Sequence, residues 1–453
     1  MNQSKDMTKG NIWKCLLLFA LPIFIGNLFQ QFYNIADLMV IGKIVGEKGY
    51  SAIGAASPFS HLFIGFANGF TSGFSVVLAR AFGAKDQDGM KKAINLSYWM
   101  TFAMSLLLTC VSLLLLHPIL LALDTPTEII GMTENYLKIT LSLGIFTMFY
   151  NMLAGLLRAI GNSRAPLYFL IASTLINVIL DVLFVKYCHL GVNGAAYATV
   201  LSQLFSVIMC TLYCAKKCKS LLFDRKLPTK DKAMVFEMAS TGLSMGFMLA
   251  VVYVGTVVLQ KAVNGFGVMT VAAHTAARRV DDLFMLVLGT MSLSAATFVG
   301  QNFGAGKLER VKKGIRNSIL MSFAWSGFAL TVVLLFHRQI IHLLTSSENE
   351  VVYTLAGRYV RINIAFFFVL SILLILRSSL QAIGHKIVPV CGSILELVLK
   401  VGCVILITPI FKYNAVIWLE PAIWVLCAII VIVDYAVFLK KQRLVLNTEK
   451  NTR

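Results

Sequence analysis

Gln30, Tyr33 and Asp37 recur at intervals of three and four residues, so on a helix all three face the same way. Asn177 and Asp181 are four residues apart and share a helix face in the same sense, and Thr199 adds a hydroxyl further along. Two carboxyls with amide and hydroxyl oxygens make a hard-oxygen set, suited to Na⁺ when both are ionised and to H⁺ when one is neutral. The simpler reading of each Asp is a hydrogen-bonded tie between helices.

The C-terminal half carries different polar groups. Glu396 and Lys400 stand in the favourable Glu-before-Lys i, i+4 order; mutual neutralisation is the preferred reading and a possible second site the alternative. Asp281 and Asp282 follow Arg278 and Arg279, either as a salt-bridged rim or as part of that second site. Glu420 immediately precedes Pro421 and reads as a helix cap, and Asp434 is expected to pair with the basic tail. His117, His337 and His342 fall near helix ends, His274 opens a helix, and there is no HxxxH or HExxH, so no metal beyond a possible Na⁺ and no other cofactor is expected. Cys210, Cys214 and Cys218 lie one helical turn apart without a paired CxxC, and read as small buried thiols. The 18 Met and 31 Phe offer an adaptable lining for lipophilic ligands, although most should face lipid or neighbouring helices.

The elements that position these groups follow from composition. Of 453 residues, 58% are hydrophobic and 13% charged, against roughly 25% charged in soluble domains, which excludes a soluble enzyme. The net charge of +19 is spread between apolar runs, not gathered on a patch, so nucleic acid is not an expected partner. A span needs about 20 apolar residues. That ruler gives twelve spans: 13–41, 51–80, 93–117, 133–157, 165–187, 191–215, 233–264, 271–300, 315–337, 355–380, 388–411 and 415–440. The fold class is therefore an all-α integral membrane protein. Pro22, in the first span, removes a backbone donor and should kink it.

Of the 40 basic residues, 28 fall in one alternate set of loops and ends, which places both termini and the central linker in the cytoplasm. An internal repeat divides the chain. Phe82-Gly83-Ala84 with Lys91-Lys92 recurs as Phe303-Gly304-Ala305 with Lys312-Lys313, and Ala159-Ile160-Gly161 with Pro166 recurs as Ala382-Ile383-Gly384 with Pro389. Two six-helix lobes of the same orientation are expected, an N-lobe over 1–215 and a C-lobe over 233–440, a parallel-repeat transporter plan. The basic linker 216–232 should be solvated and could touch anionic lipid, and 441–453 should form a cytoplasmic tail.

With these features the sequence resembles the multidrug and toxic compound extrusion (MATE) family over about residues 13–440. The segments Gly300-Gln301-Asn302-Phe303-Gly304-Ala305-Gly306 and Arg158-Ala159-Ile160-Gly161-Asn162 carry the resemblance most specifically. It implies export of organic cations and lipophilic drugs against an inward H⁺ or Na⁺ gradient, by alternating access of two lobes. It also implies a bacterial or archaeal branch whose coupling site lies in the N-lobe, with Asp37, Asn177, Asp181 and Thr199 at the cation. Gln30, Tyr33, Tyr136 and Asn151 would line the cavity, and Pro22 would allow the first helix to repack. A seventh-helix acid used by another branch corresponds here to Val252. A multi-pass cell-membrane monomer is implied.

Within transport, the alternative is a flippase for lipid-linked precursors, which a large cationic cavity would favour over paired N-lobe carboxylates. An intramembrane enzyme needs a nucleophile–base or metal constellation, and no such spacing exists among the His, Ser and Cys. A channel fits paired lobes less well than alternating access.

Overall fold

The computed structural model describes residues 6–225, 231–345 and 349–451, and every regular element among them is helical. Lys5, Lys226, Lys230 and Arg453 of the basic census lie outside the described residues. In chain order the first half contains α1 (Ile12–Ile44), α2 (Glu47–Ala84), α3 (Gln87–Ala122), α4 (Thr127–Ser142), α5 (Gly144–Ala159), α6 (Arg164–Asp181) and α7 (Gly191–Lys217). The second half contains α8 (Lys232–Asn264), α9 (Val268–Gly304), α10 (Leu308–Thr345), α11 (Glu350–Ala365), α12 (Phe367–Ala382), α13 (Ile387–Gly402), α14 (Thr408–Phe411) and α15 (Tyr413–Asn451).

The helices α4 and α5 form one span bent by 46°, and α11 and α12 another bent by 49°. With the ten other apolar runs of membrane length among the described residues, this gives the expected twelve. Most helices outrun the expected limits, and at some of the extended ends a side chain takes over an orphaned backbone donor. Asp86 accepts the Gly89 N–H at 2.9 Å to start α3, and Asn349 accepts the Val351 N–H at 2.9 Å to start α11. Such caps contribute about 0.5–2 kcal/mol each. The helix α15 likewise continues past residue 440 to Asn451, and α1 runs on through the buried Pro22.

Two compact units emerge: Met1–Tyr253 with Gly300–Lys307, and Val254–Val299 with Leu308–Arg453. The first unit has an apolar core built around Phe70, Phe74, Leu153, Leu156, Cys210 and Cys214. Gly83, near the end of α2, lies so close to the last turn of α9 that an added Cβ would overlap the Gln301 carbonyl, and at Gly304 it would overlap that of Arg80. The repeated Phe-Gly-Ala segments thus let two backbones touch. The linker, expected to be solvated, is partly docked instead: Leu221 is buried, and Asn95 on α3 donates to the Asp224 carbonyl at 2.7 Å and accepts the Asp224 N–H at 2.9 Å.

The halves share local geometry. The bends fall at Leu143 and Phe366, and Gly161 and Gly384 both turn the chain with positive φ, 84° and 97°. Wide π turns follow α6 at Val182–Tyr187 and α13 at Cys403–Ile407. A short segment before α1 is fastened inside the first unit. The Met7 N–H donates to Gln301 Oε1 at 3.0 Å, Gln301 Nε2 donates to the Ala159 carbonyl at 2.8 Å, and Lys307 Nζ donates to the Thr8 carbonyl at 2.8 Å.

Candidate functional site

In the first unit, α1, α6 and α7 bring the N-terminal polar residues together. Asp37 on α1 and Asp181, the last residue of α6, are both buried, and their carboxyls face each other at interacting distance. Asn177, one turn before Asp181, is fully buried. Tyr33 lies one turn before Asp37, and its hydroxyl is 2.9 Å from Thr199 Oγ1 on α7. Tyr136, on α4, is within electrostatic reach of Asp37 and Asp181. Spacing along α1 and α6 thus pairs correctly across helices. Gln30 is exposed and Asn151 half-buried on α5, and among the described residues no hydrogen bond joins either to the acidic pair.

Chemically, the site offers a buried pair of carboxyls with hydroxyl and amide groups nearby. Two carboxyls side by side can share one proton, since a hydrogen bond between them needs one O–H donor. An ionised, unpaired carboxylate at membrane depth costs about 2.5–3.5 kcal/mol on insertion scales. The π turn beginning at Val182 lies directly against Asp181, and such turns concentrate at functional positions.

The second unit gathers its charges into one chain. Lys400 Nζ donates to Glu396 Oε1 at 3.0 Å and lies 3.3 Å from Glu420 Oε1. Arg278 Nη1 is 3.8 Å from Glu420 Oε1, and Arg377 Nη2 is 3.8 Å from Glu396 Oε2. The neutralising reading of Glu396 and Lys400 therefore describes half of a longer network. The two aspartates separate: Asp282 pairs with Arg278 at 3.3 Å on the exposed side, while Asp281 is fully buried, with neither carboxyl oxygen hydrogen-bonded among the described residues.

Two sequence expectations are corrected here, for Glu420 and His274. Glu420 is not a cap: α15 begins at Tyr413, and Glu420 sits inside it, paired with Lys400. Among the described residues Asp434 lies 3.4 Å from His385 Nδ1, and its expected pairing with the basic tail falls partly on Arg443, Lys450 and Arg453, whose side chains lie outside them. His274 does not open α9; it is buried in the second turn, 3.3 Å from the Tyr413 hydroxyl. Arg377, counted among loop residues from sequence, belongs to the buried network. The repeat held the signal for it: the 223-residue offset between Gly161 and Gly384 sets Asn177 against Lys400 and Ser173 against Glu396.

Comparisons with known proteins place this architecture. The family model described as MatE matches residues 22–183 and again 244–405. The chain is 26% identical over 398 residues to the probable multidrug resistance protein YoeA of Bacillus subtilis (strain 168), covering 86% of each. It is 24% identical over 444 residues to the multidrug export protein MepA of Staphylococcus aureus (strain NCTC 8325 / PS 47), covering 98% of this chain and 97% of that one. Among solved structures, a MATE transporter in a bent conformation superposes with a TM-score of 0.89 at 19% identity, over 97% of this chain and 98% of that one. A transporter of the MOP superfamily from Pyrococcus furiosus superposes with a TM-score of 0.88 at 20% identity, over 96% and 97%. Two copies of one family unit, twelve apolar spans and relatives matched over nearly their whole length lead to one conclusion: this chain is a multi-pass membrane protein of the MATE family of multidrug efflux transporters.

Proposed function

We propose that the chain is a cation-coupled antiporter that exports lipophilic or cationic drugs across the cell membrane by alternating access, with both termini in the cytoplasm. Asp37, Asn177, Asp181 and Thr199 bind the coupling ion; Tyr33, Gln30, Tyr136 and Asn151 line the adjoining drug cavity. The supporting observation is the buried pairing of the Asp37 and Asp181 carboxyls. Two buried carboxyls side by side can share a proton, because burial disfavours their charged forms, and this favours H⁺ over Na⁺ as the coupling ion. Coupling requires that ion and drug prefer different states, since a ligand shifts an equilibrium only by its differential affinity. Filling the carboxyl pair removes negative charge, lets α1 repack about Pro22, and weakens the drug site. Drug export by the multidrug relatives supports this reading over a lipid flippase.

The test is efflux of a fluorescent organic cation from proteoliposomes under separately imposed pH and Na⁺ gradients. Asp181→Asn keeps the shape but removes the ionisable group, so gradient-driven efflux should collapse while expression and drug binding survive. Wild-type efflux by this variant would make the carboxyl structural, and strict Na⁺ dependence without a response to pH would replace H⁺ with Na⁺.

A further inference from the structure

The repeat allows the two halves to be compared position by position. The family match begins at residue 22 in one half and 244 in the other, which sets Tyr33 against Gly255. From Gly161 and Gly384 onward the offset is 223, which sets Asn177 against Lys400. The starts of α7 and α15, Gly191 and Tyr413, set Thr199 against Pro421, one residue after Glu420. The C-terminal network around Lys400 is thus the counterpart of the N-terminal polar site, with different occupants.

We propose that Lys400 is a tethered cation: its ammonium fills the C-terminal counterpart of the N-terminal cation site and closes Glu396 and Glu420 to any free monovalent cation. The ammonium sits between the two glutamates at 3.0 and 3.3 Å, on a side chain only 2% exposed. Two oxygens at such distances from one nitrogen are what a bound ammonium ligand would receive. Gly255 makes the room, since a Cβ there would come within 2.7 Å of Lys400 Cδ. Where the N-terminal half has a tyrosine, the C-terminal half has therefore deleted the side chain and admitted the lysine stem.

Charge balance supports the same assignment. The network joined by ion pairs holds three basic groups, Arg278, Arg377 and Lys400, and three acidic groups, Asp282, Glu396 and Glu420. Removing Lys400 leaves one acidic group in excess, and the buried Glu396 and Glu420 lose their nearest cation. A low-polarity interior does not tolerate that excess, so the deleted variant should recruit a cation. Resting on the proposed N-terminal coupling site, the inference implies that this half alone carries the coupling ion and that the C-terminal half is electrically silent.

The experiment is chemical rescue, read as the thermal unfolding midpoint of the full chain in detergent. Lys400→Ala should unfold at a lower temperature than wild type. Propylammonium, which resembles the lost end of the side chain, should raise its midpoint saturably. Tetraethylammonium, which has no N–H to donate, should not, and wild type should respond to neither. The charge-balanced double variant Lys400→Met with Glu396→Gln should also show no response. Lys400→Ser, which leaves the same space empty, serves if the alanine variant does not fold, and should likewise gain a saturable midpoint rise with propylammonium. Absence of a response in the folded single variant, or an equal response in wild type or the double variant, overturns the proposal. Repeating the rescue in an Asp181→Asn background separates the two readings, because midpoint rescue requires no transport.

Discussion

Gln301 offers a quantitative test of how the characteristic Gly-Gln-Asn-Phe-Gly segment works. Its side chain is fully buried and bridges two backbone groups, accepting from the Met7 N–H at 3.0 Å and donating to the Ala159 carbonyl at 2.8 Å. Leucine matches its volume but can do neither. Only the bond to Met7 tethers residues 6–10, and such a bond contributes about 1 kcal/mol net of its competition with water, so Gln301→Leu should ease local release of residues 6–10 by about 1 kcal/mol. That is about a fivefold increase in the open population. Release lets the Met7 N–H find water, which keeps the cost near the net value and below the full desolvation penalty. Asn302 Nδ2 still donates to the Met7 carbonyl at 3.2 Å, and Lys307 Nζ to that of Thr8, so the segment loosens without detaching. Hydrogen exchange of the peptide containing Met7 and Thr8, followed by mass spectrometry, reads the open population directly. Gln301→Glu keeps the acceptor for Met7 and, when ionised, loses only the donor to Ala159, so little change in release of the segment is expected. An exchange rate no faster than wild type for the leucine variant, where a change of about 1 kcal/mol predicts about fivefold, would refute the tethering role.

Gly83→Ala should destabilise the chain by about 1–3 kcal/mol, the usual cost of overpacking, because its methyl would collide with the Gln301 carbonyl; Gly54→Ala, with open space around it, is the matched control for unfolding midpoints. At the start of α8, the Asp231 carboxyl is held below its ordinary value by the Met234 N–H first and by the Lys92 side chain next. Its folded pKa is depressed, so the cap is complete above the unfolded value of 3.8 and is lost as pH falls through the folded one. Amide protection at Met234 should therefore decline in acid for wild type, while Asp231→Ala should lack that decline and show weaker protection at neutral pH.

The spans and the repeat were legible because each rests on a long run of residues: about 20 apolar positions for a span, and two ordered blocks for the repeat. Asp37 and Asp181 stood out because carboxyls are expensive in such runs. The pairing of Tyr33 with Thr199 joins residues 166 positions apart, which no local spacing encodes. The bends at Leu143 and Phe366 were also hidden, since both lie in apolar sequence without a proline, and only packing against neighbouring helices distinguishes a bent span from a straight one. Glu420 was misread because Pro421 imitates a helix start; in α15 the proline lies within the helix, and the carboxylate beside it serves Lys400. The charged network of the second unit was visible only as isolated pairs, because Arg278, Arg377, Glu396, Lys400 and Glu420 come from four different helices.

The π turns have a bearing on how the two halves can diverge. An α-helix turns about 100° per residue, so a single-codon insertion would ordinarily swing every preceding side chain off its face. A π turn takes the additional residue as a local widening and leaves the flanking helix intact. Before these turns the halves are offset by 223 residues, at Gly161 and Gly384; beyond them, where α7 and α15 begin at Gly191 and Tyr413, the offset is 222. The drift in length falls just beyond Asn177 and Lys400, which keep their register. After gene duplication, that slack would let each half revise its chemistry one codon at a time, without re-engineering the bundle that displays it.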